Sequence, residues 1–97
     1  MPKATLFFEG KEVLADGSIV EMRIWVVPFP VPPSRHAFKY ALFYGRPGKR
    51  IVLFDNERGK GNRQHIGTAE SAYRFESPES LIEDFKAAVQ AARKDGP

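Results

Sequence analysis

The sequence predicts an α+β domain with two layers, in which a mostly antiparallel sheet of about five strands carries one C-terminal helix packed on one face. Three observations predict this fold. Residues 4–27 and residues 36–55 each contain two alternating apolar stretches around a short turn, and residues 78–94 repeat apolar side chains at helical spacing. A chain of 97 residues suffices for one hydrophobic core, so residues 1–97 are expected to form a single domain.

The first hairpin is predicted to turn at Asp16-Gly17, a dipeptide that favours tight turns between strands. After the turn, the even positions of residues 20–26 are apolar, whereas the odd positions include Arg23 and Trp25. Alternation with a period of two indicates a strand with one buried face. Arg23 and Trp25 are therefore expected on the opposite face.

Prolines at positions 28, 30, 32 and 33 end the second strand, because proline lacks the N–H group that a sheet requires. A second hairpin is predicted from the alternating residues 36–44 and from residues 50–55, which flank a Gly-Arg-Pro-Gly turn. A short strand is expected at residues 72–75. The chain therefore supplies about five strands before its helical segment.

The helix is predicted to begin at Pro78 and to extend to about residue 94. Ser77, Pro78 and Glu79 have the order of an N-cap, a first-turn proline and a first-turn acid. The apolar positions form one stripe, made of Leu81, Ile82, Phe85, Ala88, Val89 and Ala92. This stripe is expected to dock on the sheet and to leave the opposite face open, with Arg23, Trp25, Lys39 and Phe43 on it. Trp25 and Phe43 are candidate stacking platforms for unpaired bases, although most aromatic side chains at strand spacing belong to a core.

Positive charge is concentrated between residues 46 and 65. This segment holds six lysine and arginine residues against two acids, which gives +4 in a chain whose net charge is +3. Much of that charge lies in the glycine-rich loop of residues 55–67. Glycine allows backbone N–H groups to approach a ligand closely, and lysine and arginine supply fixed charge, so the loop is predicted to meet phosphate.

Metal-independent cleavage of RNA is one chemistry that this loop supports, because an imidazole exchanges protons near neutral pH. His65 is the candidate general acid or base, and Asp55 or Glu57 is the complementary carboxylate. The candidate phosphate-binding residues are Arg58, Lys60, Arg63, Arg46, Lys49 and Arg50. His36 is a candidate second acid/base partner if the hairpins bring the strand ends together. The alternatives are a surface loop that only carries charge for solubility, and a loop that binds phosphate or an acidic protein without catalysis.

Several classes of site are not expected. The chain has no cysteine, and its two histidines do not have a ligand spacing, so neither a disulfide nor a metal site nor another cofactor is predicted. Gly59-Lys60-Gly61 lacks the pattern of a nucleotide-binding P-loop. No apolar run is long enough to cross a bilayer, and the Met-Pro-Lys start lacks the apolar segment of a secretory signal. The expectation is a cytoplasmic protein without a membrane partner.

The segment of residues 16–67 resembles the TumE family, toxin components of prokaryotic toxin–antitoxin pairs, and the resemblance extends over nearly the whole chain. The family's shared mark is a KG-x-H-x-H-like loop that follows a strand ending in Asp-Asn. Lys60 and Gly61 match the opening of that loop, and His65 matches its final histidine. Arg63 departs from the pattern, because it stands where family members often have a histidine.

The resemblance implies a growth-inhibiting toxin of a type II system that acts on RNA and is neutralised by a helix-turn-helix antitoxin encoded beside it. If the two histidines of the loop form an acid/base pair in the family, this chain has lost one of them, and His36 is the candidate replacement. The open face of the sheet is expected to receive either an antitoxin helix or a second copy in a homodimer.

Overall fold

The computed structural model describes residues 3–94, which form one sheet of six strands and one helix. The strands are β1 (Thr5–Val13), β2 (Ile19–Val26), β3 (Phe38–Arg46), β4 (Lys49–Asp55), β5 (Arg63–Ile66) and β6 (Ala69–Ala72), and the helix is α1 (Pro78–Lys94). All neighbouring strands are antiparallel, and their order in the sheet follows the chain. The predicted α+β fold is confirmed, with six strands rather than about five.

The additional strand arises inside the segment that was expected to be a loop. Arg63–Ile66 pairs with β4 along its whole length, and a tight turn at Gly67, whose φ is +62°, leads directly into Ala69–Ala72. The Gly67 N–H group donates to the Ile51 carbonyl at 2.8 Å and holds the turn against β4. The predicted strand at residues 72–75 is therefore wrong in position, and the true loop is confined to residues 56–62.

The core lies between α1 and the two central strands. The even-numbered residues of β3 and β4 point towards the helix, as the two-residue period of a strand requires. The fully or nearly fully buried side chains of this core are Ile24, Tyr40, Leu42, Tyr44, Val52, Phe54, Leu81, Phe85 and Val89. Burying a side chain of the size of Phe85 contributes roughly 1.5–3 kcal/mol, so this layer contact fixes the helix on the sheet.

Capping bonds fix where α1 begins. The Ser77 hydroxyl oxygen accepts a hydrogen bond from the Ser80 N–H group at 3.0 Å, and the Ser77 carbonyl accepts one from Leu81 N–H at 2.9 Å. Pro78 occupies the first helical position, where a missing N–H group costs nothing. The Tyr73 hydroxyl donates to the Asp84 carboxylate at 2.6 Å and so ties the segment after β6 to the helix.

The face of the sheet away from α1 is the open face, because no element of residues 3–94 packs over it. The odd-numbered residues of β2, β3 and β4 point towards it. Its side chains include Glu21, Arg23, Trp25, Lys39, Ala41, Phe43, Leu53, Asp55, Arg63, His65 and Glu70. No helix of the described part of the chain is long and apolar enough to cross a membrane.

A polar network at Asp16 joins three parts of the fold. The Asp16 carboxylate accepts from the Ser18 N–H group at 2.9 Å and from the Ser18 hydroxyl at 2.5 Å. Arg46, at the end of β3, donates to the Asp16 carbonyl at 2.7 Å, and Arg93, in the last turn of α1, lies 3.5 Å from the carboxylate. The hydrogen bonds from Ser18, followed by the charges of Arg93 and Arg46, lower the pKa of Asp16.

Replacing Asp16 with asparagine is expected to remove part of the acid sensitivity of the fold. A carboxyl group with a lowered folded-state pKa stabilises the fold above its ordinary value of about 3.9 and loses that contribution as the pH falls through the lowered value. The D16N chain should therefore be less stable at pH 7 and should lose less stability between pH 5 and pH 2. Urea titrations across this range measure the effect. Glu83→Gln, on the exposed surface of α1, is the control and should leave the pH profile unchanged.

Candidate functional site

Two rows of paired residues cross the open face and bring the candidate site together. In one row the paired residues are Glu21, Phe43, Leu53, His65 and Glu70, and in the next row they are Arg23, Ala41, Asp55, Arg63 and Ala72. Directly paired residues of antiparallel strands point to the same side with their Cβ atoms about 4.5–5.5 Å apart. The sheet therefore gathers Asp55, Arg63, His65 and Glu70, which we call the His65 cluster.

Glu70 lies between Arg63 and His65 in this cluster. Its Oε1 atom is 2.8 Å from Arg63 Nη2 and 3.7 Å from His65 Nε2. The first distance is that of a charge-assisted hydrogen bond, whereas the second exceeds hydrogen-bonding distance. The His65 side chain is 15% exposed and that of Glu70 is 41% exposed. The imidazole is thus mostly shielded by its neighbours on the sheet, and the carboxylate beside it is exposed to solvent.

Asp55 occupies the inner side of the cluster, at the end of β4. Burial raises the pKa of Asp55, the positive charge of His65 opposes that shift, and the negative charge of Glu57 adds to it. Asp55 is also the direct strand partner of Arg63. The cluster therefore contains a carboxyl group that takes up a proton more readily than an exposed aspartate does.

The hydrogen-bond donors of Arg63 are only partly satisfied by its neighbours. Its Nη2 atom reaches Glu70, but its Nε atom is buried and has no hydrogen-bond partner among the described residues. An unsatisfied buried donor costs about 1–3 kcal/mol. The guanidinium group is therefore held at Nη2, and its buried Nε atom is a cost to the fold.

The loop of residues 56–62 follows Asp55 directly, and the charges of its Glu57 and Lys60 act on the Asp55 carboxyl group. Lys60 Nζ lies 3.5 Å from the Glu57 carboxylate, and both side chains are about 60% exposed, so their ion pair is weak. Arg58 is also exposed. Gly59 and Gly61 have φ values of +85° and +75°, which other residues rarely adopt, and Gly59 N–H donates to the Pro32 carbonyl at 2.7 Å. The loop is thus shaped by its glycines and anchored to the proline-rich segment.

Glu70, rather than Glu57, is the glutamate beside His65. Sequence reasoning missed it, because Glu70 comes next to the histidine only through the pairing of β6 with β5. The available signal was Gly67, whose neighbours Arg63–Ile66 and Ala69–Ala72 are short segments suited to a tight hairpin.

His36 lies on the other side of the sheet and does not meet His65. Its ring stacks on Phe75 with centroids 3.8 Å apart. Its Nδ1 atom accepts from Phe38 N–H at 3.2 Å, so Nε2 carries the proton that is donated to Asn62 Oδ1 at 2.8 Å. Tyr40, a core residue on the helix side, donates its hydroxyl to the same Asn62 oxygen. The expected pairing of the two histidines is therefore not formed, because both ring nitrogens of His36 serve structural bonds.

The basic residues of the β3–β4 turn form a separate site. Lys49 begins β4 and Asp55 ends it, and six residues of extended strand span about 20 Å. Arg46 is bound to Asp16 there, whereas Lys49 and Arg50 line a groove of about 670 Å³ together with Thr68. The charge that is continuous in the sequence is thus divided between two ends of the sheet.

Aromatic surface accompanies the His65 cluster on the open face. Trp25 is half-buried and is paired with Lys39, and Phe43 is half-buried and belongs to the same row as His65. The Phe43 ring covers Gly45, where an added Cβ atom would lie 2.8 Å from the ring and still closer to the Lys49 carbonyl. Gly45 therefore gives the ring its place on the sheet.

The donor geometry does not make a metal site. Within residues 3–94, no group of three or more histidine, aspartate or glutamate side chains is arranged to hold a metal ion. The chemistry that the His65 cluster offers comes from its own groups, namely an imidazole, two carboxyl groups and a guanidinium.

Comparison with known families gives one result. A family model described as Toxin TumE matches residues 2–93, nearly the whole chain. Neither the curated proteins nor the solved structures yield a match.

Proposed function

The chain belongs to the TumE toxin family, and we propose that it is the toxin of a type II toxin–antitoxin system and cleaves RNA at the His65 cluster without a metal ion. Membership of a toxin family implies an antitoxin partner that neutralises the toxin. The observation that carries the RNA proposal is the placement of His65, Arg63 and Glu70 on one uncovered surface, with Glu70 within 3.7 Å of the imidazole.

The proposed reaction uses the ribose 2′-hydroxyl as the nucleophile. One group of the cluster takes the 2′-OH proton, the oxygen bonds to phosphorus, and the bond to the 5′-oxygen breaks as a second group protonates it. The products are a 2′,3′-cyclic phosphate end and a free 5′-hydroxyl end. His65 is the proposed acid or base. Asp55, whose pKa is raised by burial, is the proposed complementary carboxyl group.

The remaining residues have binding roles in this proposal. A phosphate at the cluster would accept hydrogen bonds from the guanidinium of Arg63, whose side chain is 31% exposed. Glu70 would orient the imidazole. Arg58 and Lys60 would contact neighbouring phosphates from the loop, and Trp25 and Phe43 would stack on unpaired bases across the open face.

Incubating the purified chain with a mixed-sequence RNA in excess chelator tests this proposal directly. Fragments that end in 2′,3′-cyclic phosphate are expected, at a rate that the chelator does not change. If the RNA stays intact under these conditions while expression of the same chain arrests growth in cells, the ribonuclease mechanism is contradicted. The toxin assignment would still stand.

A second candidate function is binding of RNA without cleavage. It is favoured by the bond that already joins Arg63 to Glu70. It is also favoured by Lys49 and Arg50, which form no salt bridge within residues 3–94 and lie towards the end of β4 opposite to Asp55. In this alternative the toxin sequesters RNA along two basic areas. His65 would then contribute little.

Replacing Lys49 and Arg50 with alanine is expected to weaken RNA binding and its dependence on salt. Each lost phosphate contact on a single strand lowers the slope of log K against log salt by about 0.7, so the double variant should lose about 1.4 if both residues contact phosphate. Fluorescence anisotropy with a labelled single-stranded RNA at several salt concentrations measures the slope. Lys86→Ala removes one charge from an exposed position of α1, on the side of the sheet opposite to the His65 cluster, and serves as the control. An unchanged slope in the double variant would remove the β3–β4 turn from the RNA site.

A further inference from the structure

A groove on the helix side of the sheet is left uncovered between α1 and the β1–β2 hairpin. The helix packs against β4 and β3, so the helix-side surface of β1 and β2 has no helix of its own. The groove has a volume of about 590 Å³. Gly10, Val20 and Met22 form its floor, and Phe85, Lys86 and Val89 form its wall along α1.

Gly10 is a glycine that the fold itself does not require. It lies inside β1, in a regular stretch of the pairing with β2, and its φ is not in the left-handed region. A Cβ atom at this position would meet the flexible end of Met22 at 3.4 Å and the Phe8 ring at 3.8 Å, which are tolerable contacts. Glycine weakens a strand interior and often marks a place where another chain approaches closely. At Gly10, the approaching chain would lie in the groove.

The spacing of the layers suits a second helix in the groove. Strands lie about 4.8 Å apart, so a helix over β1 and β2 would lie two strand spacings, or about 9.6 Å, from α1 over β3 and β4. Packed helices have axes 8–10 Å apart. A helix in this position would continue the helical layer and would cover Val20 and Met22, which are only half-buried.

The charges at the rim define the flank of the occupant that faces α1. Lys86 lies on the α1 side of the groove and forms no salt bridge within residues 3–94, whereas the β1 side carries both Glu12 and Lys11, and Lys11 lies 3.8 Å from Glu21. Arg93, also on the α1 side, is within 3.5 Å of Asp16. An occupant with acidic residues towards α1 would match this pattern.

We propose that the groove between α1 and the β1–β2 hairpin binds an amphipathic helix of the antitoxin, with its apolar face on Gly10, Val20 and Met22 and its acidic flank towards Lys86. This inference rests on the proposed function only in taking the partner to be an antitoxin, and it does not depend on RNA cleavage. The groove lies on the side of the sheet opposite to His65, so binding there leaves the His65 cluster uncovered.

Gly10→Leu is the central test, because leucine would fill the floor of the groove. The probe is the purified product of the gene adjacent to that of this chain, titrated into the toxin by calorimetry. The dissociation constant is expected to rise at least tenfold, while the thermal midpoint stays the same or increases because a strand glycine has been removed. Glu9→Leu places the same side chain on the open face of the same strand and should leave binding unchanged.

Charge reversal provides an independent second variant on an exposed helix position. Lys86→Glu should weaken binding, and lysine in place of the facing acidic residue of the antitoxin should restore it. Wild-type affinity in both Gly10→Leu and Lys86→Glu would overturn the groove as the binding site, as would the absence of any binding to the wild-type chain. Failure of the RNA proposal has a different signature, since RNA would then stay intact while these titrations give the expected losses.

Discussion

Replacing Asn56 with alanine is expected to lower the free energy of unfolding by about 2–4 kcal/mol, a large part of the roughly 5–15 kcal/mol that stabilises a domain. Asn56 is 1% exposed and joins β3 to the loop that follows β4. Its Oδ1 atom accepts from Tyr40 N–H at 2.9 Å, and its Nδ2 atom donates to the Phe38 carbonyl at 2.7 Å and to the Ser34 hydroxyl at 3.3 Å. Alanine would leave these buried backbone groups without partners.

Urea unfolding followed by circular dichroism measures this loss. Asn56→Asp keeps the oxygen that Tyr40 N–H donates to but removes the donor to Phe38, so it should also destabilise the chain. Gln64→Ala is the matched control, because Gln64 makes one exposed side-chain hydrogen bond, to Ser71, and its loss should change the stability by no more than about 0.5 kcal/mol. A similarly small change for Asn56→Ala would show that the loop is held by other contacts.

The hairpins and the helix could be predicted because their signals are local. Residues 20–26 alternate with a period of two, and Ser77-Pro78-Glu79 marks a helix start within three residues. The buried even-numbered positions of β3 and the beginning of α1 at Pro78 follow from these patterns. In both cases the periodicity of the side chains selects the backbone conformation.

The strand Arg63–Ile66 could not be predicted in the same way. Three of its four residues are polar, and it becomes a strand because β4 offers a row of backbone partners and Gly67 allows an immediate return. The position of Glu70 depends on that return. Sequence reasoning named Asp55 or Glu57 as the carboxylate that accompanies His65, and it did not name Glu70, which reaches the imidazole only through the pairing of β6 with β5.

The number of charges in a segment also did not predict their arrangement in space. An extended strand separates Lys49 from Asp55 by about 20 Å. The cations of the β3–β4 turn and those of the loop after Asp55 therefore lie at opposite ends of β4. His36 has a similar explanation. It precedes β3 at the same end of the sheet as Asn62, but its contacts with Phe75 and Tyr40 place it on the helix side.

Replacing His65 with alanine is expected to reduce RNA cleavage by about 10²–10⁴-fold and to abolish growth arrest, because general acid–base catalysis by one positioned group contributes a factor of this size. Imidazole side chains are suited in general to proton transfer near neutral pH, and His65 supplies the imidazole of the cluster. The fold should persist, since His65 lies on the open face and outside the core beneath α1. Single-turnover cleavage of a labelled RNA measures the rate, and the thermal midpoint of the same sample verifies the fold.

Two further variants separate catalysis from binding. Glu70→Gln keeps the size of the side chain but removes the charge beside Arg63 and His65, so cleavage should fall by less than in His65→Ala while RNA affinity stays the same or increases. Gln64→Ala changes the adjacent residue, which points to the helix side, and should leave the cleavage rate unchanged. Unaltered cleavage in His65→Ala would exclude the imidazole from the chemistry. A different outcome is that the wild-type chain shows no measurable cleavage, while His65→Ala binds RNA normally but no longer arrests growth. That outcome would require a role for His65 other than proton transfer to RNA.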